Sequence, residues 1–149
     1  MLLLAGAACQ KPVDLKRSIE VVDLATGWFD AGLVEGKNKI VPSLTFRLKK
    51  KADVEIRPVA LNIVFNNADG SASSFEDIYI ARVPFEGNET QTITARSKNG
   101  YTAEPPQSRA DMLKNSGFHD VSVQIFAKQS SAQWVELQRV TVARQILTR

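Results

Sequence analysis

The 149-residue chain holds one cysteine, Cys9, and one histidine, His119. A single cysteine excludes an intrachain disulfide. One Cys and one His exclude a structural zinc site built from those ligands. No apolar run approaches the roughly 18 residues of a membrane-spanning helix. There is no phosphate-cradling Gly-rich loop and no dinucleotide fingerprint. The formal net charge is only +3, with Lys and Arg scattered. A nucleic-acid binder would carry a denser basic stripe, so no nucleic-acid partner is expected. The one basic run, Lys49-Lys50-Lys51, reads as a solvated hairpin tip, with a secondary contact to anionic lipid headgroups as the alternative.

What is present is hydrophobic alternation. The chain has the length of one domain and enough apolar residues for a core without disulfides or metal. The stretch V-P-S-L-T-F-R-L-K-K-K-A-D-V-E-I-R-P-V-A-L-N-I-V-F, residues 41–65, dominates it. Leu44, Phe46 and Leu48 alternate with polar residues, and so do Val59, Leu61, Ile63 and Phe65. Two period-2 runs around a polar turn at 50–53 predict a β-hairpin with one buried face. A first strand is expected at 18–25, at a sheet edge. Residues 26–39 hold three glycines and no sustained period, which predicts a loop. Further strands are expected at 75–83, 89–96, 121–128 and 133–146. A phase change near Gln138-Arg139 predicts a β-bulge in the last of these. Residues 97–107 read as a second long loop, with Asn99-Gly100 as a tight turn. Ser108 is a good N-cap for a helix at 108–116, with Gly117 suited to a left-handed ending and Leu113 and Phe118 as its apolar pair.

These elements predict an all-β fold: an immunoglobulin-like β-sandwich of about seven antiparallel strands with one short helix in a late crossover. Sandwiches bind through end loops or edge strands. The candidate binding residues are therefore Trp28 and Phe29 in the first loop and Tyr101 in the second. Loop aromatics also fold back to cap a core, and alanine substitution separates the two roles.

Catalytic patterns are thin. Ser116, His119 and Asp120 crowd together in sequence, but a triad is a three-dimensional arrangement. Glu104 and Asp111 are two carboxylates near one loop, and Asp69, Glu76 and Asp77 match no calcium-loop spacing. The chain is expected to be non-enzymatic, with no catalytic residue, metal or cofactor implied. A hydrolase acting on cell wall or glycan is the alternative from another class.

The opening M-L-L-L-A-G-A-A-C-Q resembles the end of a bacterial lipoprotein signal peptide. That family is cut before a cysteine that carries acyl chains, which here implies residues 1–8 as signal, lipidation at Cys9, 9–17 as tether and 18–149 as the domain. Gln10, in place of the Asp that often retains such proteins at the inner membrane, points to the outer membrane. The run L-T-F-R-L-K-K-K-A-D-V-E-I-R-P-V-A-L-N-I-V-F resembles the bacterial immunoglobulin-like domains of the FxLYD and LEA-type group over residues 18–96. The later segments N-G-Y-T-A-E, R-A-D-M-L and S-A-Q-W-V are similar to those of uncharacterised proteobacterial lipoproteins. These resemblances imply an envelope protein on the periplasmic side, held by a lipid anchor, with an unknown envelope protein as partner. A variant of that expectation makes the chain a subunit of an envelope or secretion assembly, docked through the helix at 108–116.

Overall fold

A computed structural model describes residues 13–51, 53–72, 75–130 and 132–148. Cys9 lies outside them, as does the proposed signal segment. One turn of helix, α1 (Leu15–Ser18), opens the described domain, with the Asp14 side chain accepting from the Arg17 amide as its N-cap. Strands follow as β1 (Ile19–Val34), β2 (Lys37–Lys50), β3 (Val59–Asn67), β4 (Ile78–Val83), β5 (Ile93–Arg96) and β6 (Tyr101–Ala103). Then come α2 (Arg109–Met112), β7 (Val121–Lys128), β8 (Val135–Thr141) and β9 (Ile146–Leu147). One sheet runs β5-β2-β1-β9, with β6 also on β2, and the other runs β4-β3-β7-β8. The fold is an immunoglobulin-like sandwich, as the alternation predicts. Seven of its described strands have four or more residues.

The expected central hairpin is not a pair. β2 hydrogen-bonds to β1, β5 and β6, whereas β3 bonds to β4 and β7. The two strands face each other across the core from opposite sheets. Leu44, Phe46 and Leu48 of one, and Val59, Leu61 and Ile63 of the other, have no exposed surface. The connection explains the outcome. It buries Ile56 and half-buries Val54, and eight residues are ample to cross the roughly 10 Å between stacked sheets. A period of two fixes which face a strand buries and says nothing of its neighbour.

The true partner of β2 is β1. Residues 26–39 are not a loop: they carry the end of β1, a turn at Glu35-Gly36 and the start of β2, with Val34 opposite Lys37 and Ile19 opposite Lys50. Glycine misleads here because it serves irregularities inside a long hairpin. Gly32 (φ 78°) sits at a register shift beside Asp30, and Gly36 (φ 78°) makes the turn. The first strand does lie at an edge for most of its length, since β9 covers it only at Trp28 and Phe29.

The second expected loop is an interrupted strand. β5 and β6 follow one another along the same edge of β2, antiparallel to it. Between them Gly100 comes so close to Ile40 that a Cβ would lie 1.9 Å from its carbonyl oxygen. Asn99-Gly100 is thus a close approach and not a positive-φ turn.

The helix is shorter than expected. Ser108 does cap it, accepting from the Asp111 amide at 3.1 Å. It ends at Met112, and Gly117 does not take the left-handed conformation. The Asn115 side chain accepts from the Gly117 amide instead, and Leu113 and Phe118 are both buried. The last strand breaks in two. β8 has Ile125 opposite Gln138 and Phe126 opposite Glu136, so the bulge falls at Leu137, just before the predicted place. The chain then crosses sheets, and β9 runs parallel to β1, with Trp28 opposite Ile146.

Candidate functional site

Strand alternation sends Trp28 and Phe29 to opposite faces of β1. Trp28 points inward and is 0% exposed. It meets Tyr101 of β6 at 5.5 Å and Phe118 at 4.7 Å between ring centroids, and Tyr101 meets Phe118 at 4.9 Å. The two segments singled out in the sequence therefore do converge, with Phe118 as the third ring. They form a buried plug at one end of the core. A ring without exposed surface has none to offer a partner, which corrects the reading of Trp28 as a binding platform. Phe29 is buried on the other face, beneath the Arg96 guanidinium at 3.7 Å. Tyr101 is half-buried, and its hydroxyl accepts from the His119 amide at 3.1 Å.

Arg144 pins the same end from outside. Its Nε donates to Asp120 at 2.7 Å, its Nη1 donates to the Leu113 carbonyl at 3.0 Å, and its guanidinium lies 4.9 Å from the Phe118 centroid. The carboxylate holds the Arg144 pKa above its ordinary value. With Asp120 so engaged, the crowding of Ser116, His119 and Asp120 is not an assembled triad.

His119 turns instead to Asp69, with Nδ1 3.2 Å from the carboxylate, while Ser71 donates to the same carboxylate from its amide at 2.8 Å and its hydroxyl at 2.6 Å. Asp69 thus holds His119 through one carboxylate oxygen and Ser71 through the other. The Ser71 hydroxyl bond, then the Ser71 amide bond and the nearby His119, hold the Asp69 pKa below the usual carboxylate range. A depressed carboxylate stabilises the fold above its unfolded pKa of about 4 and loses that contribution as pH falls through the folded value. Asp69→Asn should therefore lower the urea midpoint at pH 7, and the gap from the unsubstituted chain should be smaller at about pH 3 than at pH 7. An equal gap at both pH values would contradict this reading.

Glu104 faces Lys37 at 3.6 Å, and Asp111 sits in the first turn of α2. A shallow cleft of about 540 Å³ is lined by Arg47, Glu86, Glu89, Thr90, Gln91 and Thr92. Its charges satisfy one another. Arg47 is held by Asp23 and by Glu89 (2.8 Å), and Gln91 donates to Glu86 at 3.1 Å. Among the described residues no three or more His, Cys, Asp or Glu are grouped to hold a metal ion. Helix α2 turns Met112 inward and holds Asp30 through Arg109 at 2.7 Å, so its apolar side is already used.

The surface with free aromatic area lies elsewhere. Tyr79 on β4 is 60% exposed and Trp134, just before β8, is 37% exposed. Their centroids are 6.2 Å apart with rings at 82°. Register explains the placement. Ile78 and Ile80 pair with core residues Ile63 and Leu61, so Tyr79 between them must point out. Tyr79, Asn62, Phe126 and Glu136 form one row across all four strands on the outer face. Lys128 places its ammonium 4.7 Å from the Trp134 centroid. Sequence reasoning passed over both rings, although Tyr79 lies out of phase with the isoleucines that flank it.

No family model, no curated protein and no solved structure matches this chain.

Proposed function

We propose that the chain is a lipid-anchored protein of a bacterial envelope whose sandwich serves as a non-enzymatic binding module, tethered through Cys9 on the periplasmic side, most simply at the outer membrane. The observation that carries this reading is where the basic run comes to rest. Ile19 pairs with Lys50, Glu20 with Lys49, and the Lys51 amide donates to the Ser18 carbonyl at 2.9 Å. The run Lys49–Lys51 thus lies next to the segment that holds Arg17 and Ser18, at the end of the domain from which the chain leads back to Cys9, while Lys16 turns its ammonium to the Leu137 carbonyl at 3.1 Å. Glu20 and Asp53 lie near these cations, and Asp14 is taken up by Arg17 at 3.6 Å. A tether of a few residues would hold this end at the bilayer surface, where each cation near anionic lipid contributes about 1 kcal/mol. Acyl chains add about 0.8 kcal/mol per buried CH₂, so several make attachment effectively permanent.

Cys9→Ala should move the protein from the membrane fraction to the soluble fraction of its native cells. Retention of the variant in the membrane fraction would contradict the anchor. The partner of the module is an envelope component. A place as a subunit of a larger assembly would show as co-purification from solubilised membranes.

A further inference from the structure

We infer that the outer face of the β4-β3-β7-β8 sheet is a glycan-binding surface, with Tyr79 and Trp134 as its stacking rings. The inference names a ligand class for the binding module and rests on that reading of the domain, though not on the lipid anchor.

Four large apolar side chains stand exposed among the described residues: Leu33, Val34, Tyr79 and Trp134. The two aromatic ones are in contact. At their observed exposures they show together on the order of 200 Å². A stable protein interface needs about 800 Å² from each partner, so this pair is small for that purpose. It suits a ligand that contacts rings one at a time. A pyranose whose substituents are all equatorial presents flat faces of C–H groups and a rim of hydroxyls. Its faces stack on aromatic rings, and its rim needs planar hydrogen-bonding groups. Both kinds of contact are available on this face. Rings set at 82° give a floor and a wall. Asn62 lies directly opposite Tyr79, and Gln124, half-buried, accepts from Asn66 at 3.3 Å on the same side. Lys128 and the Glu136–Arg139 pair, 3.1 Å apart, complete the rim. Charges of both signs occur in it, which favours an uncharged glycan over a polyanion.

The test titrates the full chain with the β-1,4-linked N-acetylglucosamine hexamer and with cellohexaose, by calorimetry and by tryptophan emission. Trp28 is fully buried, so a change in emission reports Trp134. Binding of at least one probe is expected. Tyr79→Ala and Trp134→Ala should each weaken it about tenfold or more, and Tyr79→Phe should retain most of it. Both positions are exposed, so unchanged thermal midpoints and circular dichroism will show that the variants fold. Absence of binding to both probes overturns the glycan assignment. Binding that survives both alanine variants overturns this site. Neither result bears on the anchor, which the fractionation of Cys9→Ala decides on its own.

Discussion

Trp28→Ala should cost about 3–5 kcal/mol of stability, the range for removing a large aromatic from a packed core. Whole domains are stable by only about 5–15 kcal/mol, so this variant should be partly unfolded at 37 °C. The reason is geometric. Trp28 has no exposed surface, packs edge-on or tilted against Tyr101 and Phe118, and sits where β1 is held by both β2 and β9. Its removal leaves a cavity between β1, Tyr101 of β6 and Phe118. Trp28→Phe should cost clearly less, because it keeps a ring and removes an indole N–H that finds no acceptor among the described residues. Urea unfolding of the two variants checks both statements. A Trp28→Ala variant as stable as the unsubstituted chain would return Trp28 to the role of a surface residue.

Gly100→Ala is expected to have the second-largest effect on the fold, about 1–3 kcal/mol at the upper end for overpacking. The added carbon would meet backbone, the Ile40 carbonyl at 1.9 Å and the Val41 Cα at 2.9 Å, so no side chain can rotate away. Relief requires β6 to leave β2. Amide exchange at Asn38–Ile40 and Tyr101–Ala103 should therefore quicken more than exchange at β7. Gly27 gives the contrast, since a Cβ there would meet the Leu147 side chain, which can move. Equal protection of β6 in the variant and the parent would contradict this account of the interrupted strand.

The sheet alternation was legible from residues because burial has a period. Val121, Val123, Ile125 and Ala127 are all inward and fully buried, as the pattern of β7 requires. The pairing of β2 was not legible. The β2 and β3 runs look like a hairpin because a charged segment separates them, yet Ile56 within that segment is buried, and this is the mark of a crossover. Glycine also carried two meanings that composition does not separate. At Gly36 it supplies positive φ in a turn, while at Gly100 it supplies room for a neighbouring backbone. Reading both as loop markers hid the ends of β1 and β2 and all of β6.

The same limits shaped the candidate site. That the two aromatic segments meet was foreseeable, since end segments of a sandwich cluster. That Trp28 would be buried and Phe29 covered by Arg96 depends on strand phase, which a loop assignment discards. Tyr79 and Trp134 come together only through the packing of the outer face, and they are far apart in the chain. The capping of α2 by Ser108 is local and was legible. The exchange of a Gly117 ending for an Asn115 cap depends on where Phe118 must go to reach Trp28.

The most direct test of the anchored-module account is the intact mass of the native protein extracted from membranes, set beside that of the Cys9→Ala variant. The account predicts a chain that begins at Cys9 and carries the added mass of acyl groups, with no such species from the variant. An unmodified chain that begins at Met1, recovered from the soluble fraction, would contradict it.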